Sequence, residues 1–273
     1  LLIAINASIG GTFLVLRRMG MLSDAIAHAI LPGLVIGYLL AESRTSPLIT
    51  LMAAVTGLFV TLLIYWLNKF LNVWVEASTG MVYTSFFALG ILGVTLFGEN
   101  ADLDADCILY GELLWIPFRR PLSGTFLDVA PWAVWQQLVL LSLWAILLLP
   151  SWPIWKSISF DVDFARTQGL HVERKNLQLL ALVSLSTVWS FEAVGAILVM
   201  GFMLLPAATA WLWVKRLEHM LALSVTLGAL SATGGYVLAW WINVDPSTTM
   251  VLVSGTFFLL SLLWQRKTTL RVG

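Results

Sequence analysis

The chain has 273 residues, of which 59% are apolar and only 11% charged, where a soluble domain carries about 25% charged residues. A membrane-crossing helix takes about 20 apolar residues, so the apolar content suffices for about eight spans and excludes a soluble globule, a disordered chain and, because the runs are unbroken, an alternating outer-membrane barrel. Fifteen basic residues balance fifteen acidic ones, which leaves no electrostatic footprint for nucleic acid.

The first apolar block, 1–16, starts at Leu1 without a Met and reads as an incomplete first span rather than a signal peptide. Further blocks follow at 25–41, 48–67, 80–97, 131–149, 177–191, 193–213, 220–241 and 249–264. The expectation is an all-α polytopic bundle of eight to nine spans in a single domain, 1–273. The run from Leu177 to Val214 is too long for one span and too short for two full ones, so a short turn is expected near Glu192 and Gly195. Gly33 and Gly37 form a GxxxG spacing, which permits close helix approach and is a weak sign of a dimer face. The 14 Trp residues lie mostly near block ends and read as interfacial anchors.

Three loops stand between the blocks. The loop 98–130 carries Asp102, Asp104, Asp106 and Glu112. It is not an EF-hand, because Cys107 stands where Gly is needed and Leu113 where the bidentate Glu belongs. It reads either as an acidic solvated loop or as a lip that attracts cations. Its stretch 108–118 is apolar but too short to span and is expected in the membrane interface. The loop 151–176 is polar and moderately basic. The segment 205–219 is expected as a loop that opens on a Pro-Ala-Ala-Thr-Ala run and ends in Lys215, Arg216 and Glu218. If the loop after the first block is cytoplasmic, twelve Lys or Arg lie inside and three outside. That asymmetry puts the C-terminus and the loops 151–176 and 205–219 in the cytoplasm, and loop 98–130 outside.

The catalytic motifs are missing. No G-x-x-x-x-G-K-[ST], H-E-x-x-H or G-x-S-x-G run occurs. The single cysteine, Cys107, excludes an intramolecular disulfide and any multi-thiolate site. The most informative pair is Asp24 and His28, spaced i, i+4 so that one helix face carries both. Ionisable groups at membrane depth are costly and mark pathways, and a carboxylate with an imidazole suits Mn, Fe(II) or Zn rather than Cu(I). The competing reading makes Asp24 an N-cap and His28 a packing residue. Glu192 is either an ordinary turn residue or a further ligand.

At this point the chain resembles the membrane subunits of metal-cation ABC importers. The resemblance rests on Arg17-Arg18-Met19 followed by Ser23-Asp24-Ala25, His28-Ala29 and Pro32-Gly33. It continues through Phe160-Asp161, Phe164-Ala165-Arg166 and Gly169, then Val194-Gly195-Ala196 leading to Leu204-Leu205-Pro206-Ala207-Ala208-Thr209-Ala210. It ends at Asp245-Pro246 and Val251-Leu252-Val253. Ser23 replaces the family's usual Gly, and Trp211 a frequent Arg. The resemblance implies a type II-like ABC importer permease in the bacterial cytoplasmic (inner) membrane. Its implied partners are a second permease subunit, in a homodimer or with a paralogue, two cytoplasmic ABC ATPases and an extracytoplasmic metal-binding protein. It also implies Asp24 and His28 on the metal path; Glu192, Asp102, Asp104 and Asp106 are further candidates from their own charge and position. The implied ATPase-docking residues are Pro206, Ala207, Ala208, Thr209, Ala210, Lys215 and Arg216. No permanent cofactor is expected, only the transported divalent cation. Residues 102–107 with Tyr110-Gly111-Glu112 resemble the manganese and iron branch more than the dedicated zinc branch. The rivals are a permease for iron chelates or cobalamin, which needs width rather than inward carboxylates, and an ATPase-independent secondary metal transporter. A membrane enzyme is a third, disfavoured by the missing catalytic constellation.

Overall fold

The computed structural model describes residues 1–41, 47–97, 131–160 and 162–272. With no water in the hydrocarbon to hydrogen-bond exposed amides, an apolar chain of this kind satisfies its backbone internally as helix. The described residues form helices and no strand. In chain order these are α1 (Leu2–Leu16), α2 (Leu22–Ala29), α3 (Leu31–Ala41), α4 (Pro47–Leu71) and α5 (Val75–Phe97). After them come α6 (Trp132–Leu148), α7 (Trp152–Phe160), α8 (Val162–Thr167), α9 (Val172–Trp213), α10 (Leu217–Ile242) and α11 (Pro246–Val272).

The element on which the others pack is α9. Its 42 residues would make a straight rod of about 63 Å, about twice the thickness of a bilayer core. Instead the backbone breaks at Gly195, with φ 79° and ψ 170°, a conformation that glycine adopts without a Cβ clash. The two limbs fold back on each other. Thr187 Oγ1 donates to Met203 Sδ at 3.6 Å across 16 residues, which would lie about 24 Å apart on a straight helix. The turn expected near Glu192 and Gly195 is therefore present. In the most apolar stretch of α9, 72% of the residues are buried, against 11% in α5. The hairpin meets α1, α2, α4, α6, α10 and α11, while α5 lies at the edge.

Close approach depends on small residues. A Cβ at Gly11 would collide with the Met203 carbonyl oxygen. One at Gly33 would meet Thr56 and lie 2.7 Å from the Met52 carbonyl oxygen, and one at Gly37 would come within 2.8 Å of Ile49 Cα. The GxxxG spacing thus packs α3 on α4 within the chain and is not a dimer face. Polar side chains tie the interior. Asn6 Nδ2 donates to the Gln137 carbonyl oxygen and Oε1 at 2.9 and 2.8 Å, and Gln137 Nε2 donates to Ser190 Oγ at 3.4 Å. Such interhelical bonds contribute about 0.6 kcal/mol each in a membrane interior. Two of the Trp residues expected at interfaces are instead in the core. Trp144 and Trp155 are 1% and 0% exposed and flank Phe13, at ring-centroid distances of 6.3 and 5.9 Å.

Two segments read as loops contain helix. Within 151–176 lie α7, α8 and the start of α9, with α7 turned by 83° from α6. Their small apolar core of Ile158, Ala165 and Val172 is too short a pattern to stand out in sequence. The segment 205–219 is helical to Trp213 and again from Leu217. By length and composition six described helices can cross a membrane, or seven with the bent α6–α7 pair. The expected eight to nine is higher because α1 has only 15 described residues and the folded α9 counts as one helix. Asp245 explains the Asp-Pro pair before α11: it caps the helix, accepting from the Thr248 N–H at 2.8 Å, and Pro246 takes the first helical position, where its missing N–H costs nothing.

The packing at Gly11 is testable. Replacement by Ala should destabilise the purified protein by about 1–3 kcal/mol through overpacking. Gly80, where an added Cβ would have nothing within 4 Å, should accept Ala with an unchanged or higher melting temperature in the same detergent.

Candidate metal site

Helix α2 starts at Leu22, and its N-cap position, Met21, makes no side-chain capping bond. Asp24 sits inside the first turn and so does not cap the helix. Its charge there is favoured by the helix dipole. Within α2, Leu22, Ser23, Ala25, Ile26, Ala27 and Ala29 are buried, while Asp24 and His28 are the two positions left partly open. The helical period extends this open stripe to Met21 on one side and to Pro32 and Ile36 on the other. The pair is thus neither sealed in apolar packing nor fully solvated, with side-chain exposures of 27% for Asp24 and 25% for His28.

Asp24 Oδ1 lies 3.5 Å from His28 Nε2. Two ligand atoms each about 2.1 Å from one ion are about 3–3.5 Å apart at octahedral to tetrahedral angles. The pair can therefore chelate a single divalent cation with little side-chain movement. Helix α5 supplies the wall: Tyr83 and Phe87 each place their ring centroid 5.7 Å from that of His28.

Other expected site residues lie elsewhere. Glu192 accepts a hydrogen bond from Thr50 Oγ1 at 2.8 Å, tying the start of α4 to the turn of α9. Ile30 meets α4 at Gly57, and Gly33 meets it near Met52 and Thr56, so α2 runs away from Thr50 towards the far end of α4. Glu192 and the Asp24–His28 pair thus lie at different levels along α4. No group of three or more His, Cys, Asp or Glu side chains gathers among the described residues. Asp102, Asp104 and Asp106 lie outside the described residues. Of the docking segment, Pro206, Ala207, Thr209 and Ala210 are buried in α9 and Ala208 is half-buried. Between Pro206 and Arg216 the exposed positions are Trp211, Trp213, Lys215 and Arg216. The contribution of α5 was missed in sequence, since Tyr83 and Phe87 are ordinary apolar-block residues whose proximity to His28 only the fold reveals.

Comparison with known proteins identifies the family. The model of the ABC 3 transport family matches residues 1–265. The chain belongs to that family. It is 36% identical over 257 residues to the manganese transport system membrane protein MntD of Bacillus subtilis, covering 94% of this chain and 86% of the relative. It is 31% identical to the zinc transport system membrane protein TroD of Treponema pallidum, covering 97% and 72%. Among solved structures it resembles PsaBC from Streptococcus pneumoniae in complex with Fab, with a TM-score of 0.74 at 28% identity, covering 95% of this chain and 87% of that one. The chain is a multi-pass membrane protein of a transport family, a permease subunit rather than an enzyme.

The separation of Glu192 from the pair predicts unequal roles. Glu192→Gln should leave Mn(II) or Zn(II) binding to the purified permease within about twofold of wild type, whereas His28→Ala should remove a nitrogen ligand and abolish it. Isothermal titration of each variant checks this.

Proposed function

We propose that the chain is the membrane-spanning permease of an ATP-driven importer of divalent transition-metal cations: manganese, iron or zinc. The carrying observation is the Asp24–His28 pair on the partly open stripe of α2, with an oxygen and a nitrogen 3.5 Å apart. Relatives named for manganese and zinc transport support the same reading. Hydrated divalent ions enter low dielectric only if charge and donors replace their water, so a carboxylate on the path is a physical requirement.

In this reading an outer binding protein releases the cation at the side bearing loop 98–130, where Asp102, Asp104 and Asp106 raise its local concentration. Asp24 and His28 then hold it. Two ligands do not complete a coordination sphere, so waters or groups from a second permease subunit supply the rest. Both subunits lie in the bacterial cytoplasmic membrane with the C-terminus inside, the orientation set by the Lys and Arg asymmetry. Cytoplasmic ATPases dock at the inner end of α9. The exposed Trp211, Lys215 and Arg216 are the contact, and the buried Pro206–Ala210 stretch transmits the movement into the hairpin. The pore alternates its opening around a site that itself changes little.

Asp24→Asn and His28→Ala should each abolish uptake of radiolabelled Mn(II) or Zn(II) into vesicles holding the assembled complex. Normal uptake in both would remove the pair from the path. The double change Lys215→Glu and Arg216→Glu should weaken co-purification with the ATPase and uncouple ATP hydrolysis from uptake. Unchanged association and coupling would place docking elsewhere.

A further inference from the structure

A second site lies at the end of the bundle where α1 stops and α9 starts. Arg17, the residue that ends α1, donates from Nη1 to Asn176 Oδ1 on α9. Its Nε and Nη2 are shielded from bulk water and have no hydrogen-bond partner. Among the described residues no carboxylate pairs with it. Burial pushes its pKa down to about 10, so the guanidinium is still charged at neutral pH. A shielded cation with two idle donors is unfavourable unless an anion answers it.

Arg17 borders a cavity of about 100 Å³, lined also by Leu22, Thr61, Tyr65, Asn68 and Asn176. A water needs about 10–15 Å³ by this measure, so the space admits a polyatomic anion; Nε and Nη2 are themselves closed to water, so the Arg17 side chain must turn to present them to it. The idle Nε and Nη2 are the parallel donors of the guanidinium's side-on fork, which matches two oxygens of a phosphate. Because Asn176 Oδ1 accepts from Arg17, its amide nitrogen is available as a further donor. The surroundings indicate where the phosphate comes from. Val75 lines the cavity, and beside it Phe70, Leu71 and Trp74 are 61%, 56% and 80% exposed. Lys69 sits above the Tyr65 ring, 5.9 Å from its centroid, but its charge is answered by Glu173 at 2.8 Å, which leaves Arg17 as the cation of the cavity. Exposed aromatic and aliphatic side chains beside a single shielded guanidinium are surroundings that suit a lipid headgroup at a membrane interface.

We infer that this cavity binds a phosphate group, carried by an anionic phospholipid whose chains lie against Phe70, Leu71 and Trp74. The site is separate from the Asp24–His28 pair and does not depend on which metal is carried. Lipid there would tie the ends of α1, α4 and α9 together.

The test is native mass spectrometry of the whole, delipidated permease titrated with phosphatidylglycerol, phosphatidylcholine or inorganic phosphate. Wild type should retain one phosphatidylglycerol per chain in preference to phosphatidylcholine, and inorganic phosphate should not displace it. Arg17→Gln should weaken that binding about tenfold or more, while Arg18→Gln, at the exposed neighbour, should not. Thr61→Leu, which fills the cavity and leaves Arg17 in place, should weaken it too and keeps the test open if Arg17→Gln fails to fold. Equal phosphatidylglycerol retention in wild type, Arg17→Gln and Thr61→Leu would overturn the site. Binding of inorganic phosphate without lipid would overturn the lipid assignment.

Discussion

The whole arrangement depends on the reversal of α9 at Gly195. Without that positive φ the 42 residues could not lie within one bilayer thickness, and α1, α2, α4, α10 and α11 would lose the surface on which they pack. The reversal also explains why α1 needs glycine at position 11, where its backbone touches the second limb at Met203. Asn6, Gln137 and Ser190 then lock α1, α6 and the first limb together with side-chain hydrogen bonds, in a medium where water offers none. The partly open stripe of α2 follows from this packing. Six of its eight residues are held against the hairpin and its neighbours, which leaves Asp24 and His28 open towards α5.

The chemistry of the pair follows from its placement. A carboxylate and an imidazole one helical turn apart are set by the backbone period, so their spacing needs no loop to maintain it. Tyr83 and Phe87 limit where the imidazole can turn. The open side of α2 and α5 carries apolar side chains suited to lipid or to a second subunit, and it is where further ligands for a cation would have to come from. At the start of α4, Glu192 serves a different purpose, holding Thr50 and so fixing that helix to the hairpin turn.

Much of this was legible in the sequence because lipid imposes few solutions. The apolar blocks marked the helices, and the awkward length of 177–214 was enough to expose the break. The i, i+4 spacing of Asp24 and His28 required only that the segment be helical. What failed were statements about depth and neighbours. Composition cannot distinguish a Trp at an interface from Trp144 or Trp155 stacked on Phe13. GxxxG says that something comes close, and here that partner is α4. Pro206 looked like the start of a loop, yet the helix continues through it to Trp213, with Thr209 donating back to the Leu205 carbonyl oxygen. The helices α7 and α8 were invisible because short, mixed-polarity segments carry no clear period.

The central claim is that one cation is held between Asp24 and His28. Anomalous difference density, collected at the manganese absorption edge from crystals of the permease soaked in Mn(II), locates the ion directly. The account predicts a peak about 2–2.5 Å from both Asp24 Oδ1 and His28 Nε2. A well-occupied peak elsewhere on the translocation path, with none between these two side chains, would contradict it.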